Sequence, residues 1–357
     1  MKMKSAAFTL AVLLGGLTGC PAQDPSHLDP VPRGQGFQFV TGEIQVPPGT
    51  EAQDCYFFKV RELAASNGMD PDQPVNLHRI QVAQRPGSHH MNIFRVRTLT
   101  GLDPANGLIQ KGANGVGECF RSSNWSDWPL VANSQQDGQV DWTLPEGVAN
   151  TLQPDEWLML QTHFVNATTQ KTPQSFGRVT VNIWAIEPSK VTAQLGTLFA
   201  TKQSIRICQS NPRPTFHGTC QFNSPQPVTI IGANGHFHSR GERFSMSTWD
   251  GQTSSPPPAS QRFYESRSWD DPPMLTSPEL RRDVPAGGGV WYTCSYAWKQ
   301  PEPSVGCSGL NQYDATKYGT SEAQQDCCYT FGPVVEQNEH CNAFIYYYPK
   351  QDDVNCF

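Results

Sequence analysis

Two histidines separated by one residue are the first positions whose spacing suggests chemistry. Residues i and i+2 of a β-strand project from the same face, so the imidazoles of His236 and His238 can converge on one metal ion while Phe237 turns the other way. Imidazole is a good ligand for copper, zinc and nickel. The pair therefore predicts half of a metal site, and the remaining ligands must come from elsewhere in the chain.

The chain has nine histidines, and three others could supply those ligands. His89 and His90 are consecutive and would point to opposite faces of a regular strand, so both can bind one ion only at a strand end or a β-bulge. The Pro-Gly pair just before them favours such an irregularity. His163 lies in a strand-like apolar segment. Spacing alone leaves metal binding and a structural or surface role both open. Two further histidines are interpreted as structural or surface residues: His78 and His217.

The elements that position these side chains are predicted to be short β-strands. The 30 Gly and 30 Pro are spread between short apolar runs as turn signals, and no segment carries a long apolar period of 3.6 residues. The 357 residues suggest two domains. We therefore predict an all-β fold of two tandem antiparallel β-sandwich domains of ~150 residues each, over residues 37–187 and 188–357.

The first residues have the pattern of an export signal. Lys2 and Lys4 precede an apolar run, and the small residues that follow end at Cys20, an arrangement that resembles the lipobox of bacterial lipoproteins. We expect residues 1–19 to be the signal peptide, Cys20 to be lipidated, and the proline-rich residues 20–36 to be a disordered tether. The absence of Asp at position 21 favours the outer membrane or cell surface. An ordinary secretory signal is the alternative.

The remaining ten cysteines predict a disulfide framework. Their number is even and the chain is exported, so five disulfides are expected. A thiolate zinc site is disfavoured because no CxxC pair occurs. Cys327 and Cys328 are adjacent and need separate partners. The net charge of -6 and the lack of aromatic residues interleaved with basic clusters argue against nucleic-acid binding.

Four ordered motifs resemble a known family. They are Ser-His-His-Met at 88–91, Leu-Gln-Thr-His-Phe at 160–164, Gly-His-Phe-His-Ser-Arg-Gly at 235–241 and Asn-Glu-His-Cys-Asn at 338–342. Over nearly all of residues 37–357 the chain resembles the copper type II, ascorbate-dependent monooxygenases, the family of peptidylglycine α-hydroxylating monooxygenase and dopamine β-monooxygenase. The resemblance implies two jelly-roll-like domains, each holding one copper ion across a solvent-filled cleft, with O2 bound at the second copper.

The same resemblance assigns roles to individual residues. His89, His90 and His163 match the ligands of the electron-transfer copper, with Gln161 beside it. His236 and His238 match two ligands of the oxygen-binding copper, whose third ligand in the family is a methionine. Here His340 occupies that position, and imidazole serves Cu(II) better than a thioether does. Each tenfold relative gain in Cu(II) affinity lowers a one-electron potential by ~59 mV. Two residues could instead supply a displaced thioether: Met246 or Met274.

Disulfides and substrate residues follow from the resemblance in part. It implies the pairs Cys55–Cys119, Cys294–Cys341 and Cys220–Cys356, although a Cys208–Cys220 bridge competes with the last. Asn234 and Phe344 replace the arginine and tyrosine of the peptide-amidating members, which argues against amidation of glycine-extended peptides.

We therefore expect a copper-dependent monooxygenase that hydroxylates a C–H bond of a small substrate with O2 and an external reductant such as ascorbate. It would carry two copper ions, act as a monomer and touch the membrane through its lipid anchor only. Two alternatives remain open: a copper-binding or copper-buffering surface lipoprotein without catalysis, and a zinc hydrolase built on three histidine ligands.

Overall fold

The computed structural model describes residues 24–97, 109–113, 116–117, 128–135, 138–166, 175–311, 326–332, 334–351 and 354–356. Two predicted features, the lipidated Cys20 and the partner Cys119 of Cys55, lie outside these residues. Strands make up 52% of the chain and helices 7%, which confirms the predicted all-β class. Within the described residues, no helix has the length and hydropathy of a membrane-spanning segment.

The strands of the first unit extend from residue 36 to residue 194, and the helix α1 (Val60–Ser66) follows the third strand. In chain order they are β1 (Gly36–Val40), β2 (Ile44–Val46), β3 (Thr50–Lys59), β4 (Val75–Gln84), β5 (Ser88–Val96), β6 (Ile109–Ala113), β7 (Val116–Gly117), β8 (Leu130–Ser134), β9 (Gly138–Thr143), β10 (Val148–Leu152), β11 (Trp157–Asn166), β12 (Ser175–Gly177), β13 (Val179–Ala185) and β14 (Ala193–Gln194).

Two sheets of the first unit pack around one apolar core. One has the order β1-β13-β4-β10-β14, with β9 also paired to β4, and the other has the order β7-β6-β3-β11-β5-β8. A small ribbon pairs β12 with β2. Phe57 and Leu160 from one sheet and Leu77 and Val181 from the other are buried in the same cluster. A shared core between two sheets is the arrangement of a β-sandwich.

The strands of the second unit begin at residue 196. They are β15 (Gly196–Thr201), β16 (Arg206–Cys208), β17 (Thr215–Gln221), β18 (Val228–His236), β19 (Gly241–Trp249), β20 (Arg262–Ser266), β21 (Leu275–Thr276), β22 (Arg282–Val284), β23 (Gly289–Tyr296), β24 (Cys328–Phe331), β25 (Asn338–Glu339), β26 (Asn342–Tyr348) and β27 (Val354–Cys356). Short 3₁₀ helices cover Pro188–Lys190 and Ala259–Gln261, and residues 306–311 are helical.

The second unit also places its core between sheets. Its largest sheet has the order β21-β18-β26-β15-β27, with β22 also paired to β18, and faces a sheet of order β17-β23-β19-β20. A third sheet, β16-β24-β25, completes the unit. Ile230 and Ile345 from the first of these sheets share a buried cluster with Phe244 and Tyr292 from the second.

Four disulfides connect described cysteines of the second unit. Cys294–Cys341 and Cys220–Cys356 form as predicted, and the adjacent Cys327 and Cys328 do take separate partners. The alternative Cys208–Cys220 bridge is wrong, because Cys208 on β16 lies directly opposite Cys328 on β24. The other two disulfides are Cys208–Cys328 and Cys307–Cys327.

The N-terminal segment differs from the predicted disordered tether. Residues 24–35 lie against the first unit, since Asp24 pairs with Arg85 at 2.8 Å and Val31 is 6% exposed. Asn182 of β13 also donates to the carbonyl of Asp29 at 2.9 Å. The sequence did not reveal these contacts because prolines that extend a free chain also suit a segment laid along a sheet.

The two units meet through a packed interface. β14 still pairs with a strand of the first unit, and β15 pairs with strands of the second. The boundary therefore lies between them, a few residues beyond the predicted 187/188. Phe199, Phe344 and Tyr346 of the second unit are buried in the apolar cluster of the first. Asn133 on β8 donates to Asn234 on β18 at 3.1 Å. This contact brings the end of β18 against β5, where the predicted ligands lie.

Candidate metal centre

His89 and His90 lie at the start of β5, where the strand pairing is irregular. His163 of β11 pairs with His90 and the next residue, Phe164, pairs with Ser88, so His89 is an extra residue in the ladder. Gly87, two residues before His89, adopts φ +92°, a conformation that favours glycine. The ring centroids of His89 and His90 are 5.2 Å apart. The predicted bulge is confirmed, and it brings two consecutive histidines to one site.

His163 on the neighbouring strand completes a first group. Its ring centroid lies 4.9 Å from that of His90 and 5.0 Å from that of His89. Its Nε2 donates to the Oε2 carboxylate oxygen of Glu51 on β3 at 2.9 Å. This acceptor fixes the N–H at Nε2, so Nδ1 carries the lone pair. Since Nδ1 is buried without a hydrogen-bond partner, it is available to a metal ion.

His236 is the last residue of β18, and His238 follows two residues later. Their ring centroids are 5.2 Å apart, whereas Phe237 packs into the core of the second unit, as the spacing predicted. His238 Nδ1 donates to the backbone carbonyl of Asn338 at 3.0 Å, and His236 Nδ1 donates to Gln135 Oε1 at 2.8 Å. Each acceptor fixes the N–H at Nδ1 and leaves Nε2 as the ligand atom.

His340 lies beside this pair. Its Nδ1 is 3.1 Å from His236 Nε2, and its ring centroid is 4.4 Å from that of His238. Tyr296 donates a hydrogen bond to the backbone carbonyl of His340, and the next residue forms the Cys294–Cys341 disulfide. The backbone of His340 is therefore held at two points.

All six histidines form one cluster at the interface of the units. Two groups bring one ring nitrogen from each of three histidines within 4.8 Å of one another: His89–His90–His163 and His89–His236–His238. The structure therefore differs from the two sites separated by a solvent-filled cleft that the resemblance implies. His89 also joins the group of His236 and His238, next to His340, because interface packing places the β5 bulge against the end of β18.

Burial sets the charge state of these rings. His89 is 3% exposed, His236 is 2% exposed and His238 is 0% exposed. Burial, reinforced by the neighbouring histidines, holds the pKa of His89, His90, His236 and His238 well below its usual range. These imidazoles are therefore neutral at pH 7, which is the form that binds metals.

A buried ion pair supports the histidines of the second unit. Arg240 Nε lies 2.8 Å from Glu339 Oε1, and the side chains are 3% and 0% exposed. Glu339 Oε2 accepts from the backbone N–H of His238 at 2.8 Å, while Arg240 donates to the carbonyl of Asn338 at 2.6 Å. Burial raises the pKa of Glu339, and Arg240 opposes that shift. The pair fixes the backbone on both sides of the metal-facing rings.

A cavity of about 280 Å³ adjoins the cluster and takes its lining from both units. The buried amide oxygens of Gln53, Asn92 and Asn342 have no hydrogen-bond partner. None of the described residues that line the cavity is Asp, Glu, Lys or Arg. The cavity therefore suits a small neutral molecule that donates hydrogen bonds. The lining comprises His90, His163, His236, His340, Gln53, Asn92, Gln135, Gln161, Asn342, Phe94, Phe199, Phe331 and Phe344.

Several predicted positions have other roles. Gln161 lines the cavity and accepts from Asn92 Nδ2 at 3.0 Å, without a direct bond to a histidine. Asn234 is fully buried and bonds Asn133, so it is part of the interface and not of the cavity lining. Neither methionine predicted as a displaced thioether lines the cavity, since both belong to the apolar cores: Met246 and Met274.

The remaining histidines lie outside the cluster. His78 Nδ1 is 2.8 Å from the carbonyl of Val148, and His217 stacks on Trp291 with ring centroids 4.7 Å apart. Both contacts agree with the structural or surface roles predicted for them.

Sequence reasoning missed the residues that orient the rings. Glu51 and Gln135 lie far from the histidines they bond, and only strand pairing brings them close. Glu51 and Gln53 do alternate along a strand, which is a polar pattern on one face, but nothing in the sequence shows that this face meets His163. Glu339 could have been noticed, because it stands next to His340.

Comparisons with known proteins do not identify the function of the histidine cluster. No protein-family model and no curated protein matches the chain. Among solved structures, the exported protein XepA of PBSX is 10% identical, with 76% of this chain and 90% of that chain covered and a TM-score of 0.20. A chain from the structure of the infectious bursal disease virus Gx strain is 9% identical, with 88% of this chain and 74% of that chain covered and a TM-score of 0.18. TM-scores this low carry no argument about function.

Proposed function

We propose that this protein is a copper-dependent monooxygenase that hydroxylates a C–H bond of a small substrate. One oxygen atom of O2 enters the product, and the other leaves as water with two electrons and two protons. An external reductant such as ascorbate supplies the electrons. The observation that carries the proposal is the cluster of six histidines beside an amide-lined cavity.

The donor set fits copper. The ring nitrogens His163 Nδ1 and His238 Nε2 are buried and unpartnered, and each ring is oriented by an acceptor at its other nitrogen. Neutral imidazoles in such an arrangement suit copper, and they also suit zinc. When bound, copper would supply the one-electron and O2 chemistry that side chains cannot. His89, His90, His163, His236, His238 and His340 would hold it.

The protein's own contribution is positioning and exclusion of water. Glu51, Gln135 and the carbonyl of Asn338 hold the ring N–H groups, so the lone pairs face the cluster. The four phenylalanines of the cavity lining exclude water from the place where a C–H bond would lie next to the histidines. The unpartnered amide oxygens would orient the substrate by accepting its N–H or O–H groups.

The alternatives draw less support from the site. A zinc hydrolase built on three histidines also needs a general base. No described residue of the cavity lining is a carboxylate, and the nearby Glu51 and Glu339 are engaged with His163 and Arg240. A copper-buffering lipoprotein would need the buried rings but gives no role to the cavity.

Oxygen consumption tests the proposal. Copper-loaded protein, freed of unbound copper by gel filtration, is incubated with ascorbate and a panel of small neutral N–H or O–H compounds. We expect reductant-dependent O2 uptake and hydroxylated product with the wild type and neither with His236→Ala. His27→Ala removes a histidine 52% exposed at its side chain and is the matched control. Copper binding without O2 uptake would leave the buffering function, and zinc in protein isolated from its native compartment would contradict the proposal.

A further inference from the structure

His89 occupies a position unlike that of the other cluster histidines. It belongs to both compact groups, the one with His90 and His163 and the one with His236 and His238. Its ring centroid lies 5.0 Å from that of His163 and 4.7 Å from that of His236. His89 is thus the residue through which the two groups are joined.

The hydrogen bonds of His89 are also different. His163 and His238 each place one ring nitrogen against a protein acceptor and leave the other buried and unpartnered, whereas His236 bonds Gln135 through Nδ1 and His340 through Nε2. Both ring nitrogens of His89, by contrast, are buried without a partner. A neutral imidazole carries one N–H, so either tautomer leaves a buried donor unsatisfied. That unsatisfied donor is removed when both nitrogens bind metal.

We infer that His89 bridges two metal ions, one held with His90 and His163 and the other with His236 and His238. The inference rests on the metal site of the proposed function, but not on its oxygen chemistry. As the second Cu(II) ion binds, the ring N–H proton of His89 passes to solvent and the resulting imidazolate donates one lone pair to each ion. Neither ion changes oxidation state. The protein would therefore hold a single coupled dinuclear centre.

Electron paramagnetic resonance of Cu(II)-titrated, disulfide-intact protein tests this. An imidazolate bridge couples two Cu(II) spins. We therefore expect the integrated low-temperature signal to rise with the first equivalent of copper. With the second equivalent it should fall well below the value expected for the amount of bound copper. In His89→Ala the signal should match the bound copper throughout. His27→Ala should behave as the wild type.

A second measurement needs no variant. When Zn(II), which has no unpaired electron, is added as the second ion to wild-type protein holding one Cu(II), the full signal of one copper should persist. A wild-type signal that equals the copper content at two equivalents, or a limit of one ion per chain, would overturn the bridge while leaving copper binding intact. If a folded His89→Ala protein also lost its copper signal at the second equivalent, the bridge would be overturned as well. Absence of any copper binding would overturn the proposed function as well.

Discussion

Replacing Arg240 with methionine would show how far the buried ion pair determines the second metal group. Arg240→Met keeps an apolar stem of similar length but leaves Glu339, which is 0% exposed, without its cation. Removal of one partner of a buried pair typically costs about 3–5 kcal/mol. We therefore expect the unfolding free energy of the metal-free protein to fall by that amount.

The same substitution should weaken metal binding. Glu339 accepts from the backbone N–H of His238, and Arg240 donates to the Asn338 carbonyl that also receives the ring N–H of His238. Loss of a partner that orients a metal ligand typically lowers metal affinity about 10–100-fold. A drop of that size is expected in a copper competition titration with a chromophoric chelator.

Urea unfolding with the disulfides intact measures the stability effect, and Arg213→Met is the matched control. Arg213 pairs with Glu242 at 3.1 Å, but the side chains are 74% and 41% exposed. An exposed pair contributes at most about 1 kcal/mol. If Arg240→Met were no more destabilising than Arg213→Met and bound copper as tightly as the wild type, the role assigned to the buried pair would be wrong.

Three further predictions concern pH, potential and packing. The unfolding free energy of the metal-free protein should decrease as the pH falls below about 6.5. In the unfolded chain the histidines then bind protons, whereas burial keeps four of them neutral in the folded protein: His89, His90, His236 and His238. Each contributes about 1.4 kcal/mol per unit by which its pKa is lowered. A flat urea-unfolding profile between pH 7.5 and 5 would contradict this. His340→Met should raise a copper potential by ~59 mV per tenfold loss of relative Cu(II) affinity, and voltammetry that finds equal potentials would refute it. Gly235→Ala should lower the unfolding free energy by about 1–3 kcal/mol, because the added Cβ would lie 2.3 Å from Phe244 Cδ1. Gly42→Ala should have no such effect, since no atom lies within 4 Å of its Cβ position. Equal urea midpoints for the two variants would contradict this packing argument.

The sequence could predict what depends on local spacing. The i, i+2 pair His236 and His238, the bulge at His89 and the separate partners of Cys327 and Cys328 all follow from short-range geometry, and the structure has them. The all-β class follows from turn signals and short apolar runs. These features need no knowledge of which strand lies next to which.

Contacts between distant segments could not be predicted in the same way. The sharing of His89 by two groups depends on how the units dock, and docking rests on Phe199 and Tyr346 entering the other core. The bond between Glu51 and His163 joins residues 112 positions apart. Side-chain period and composition do not specify such pairings, and the expected cleft was wrong for that reason.

The bond made by Glu51 has a consequence for copper exchange. Its Oε2 holds His163, and its Oε1 accepts the backbone N–H of Val335 from the second unit at 3.1 Å. Four cluster histidines border the cavity, but His89 and His238 do not, so an ion at the centre is enclosed by rings from both units. We expect such an ion to leave more often when the units part and Glu51 releases Val335. The rate at which a chelator removes copper from the protein would then report the opening of the interface, and it would rise in Glu51→Ala, which removes both acceptor oxygens.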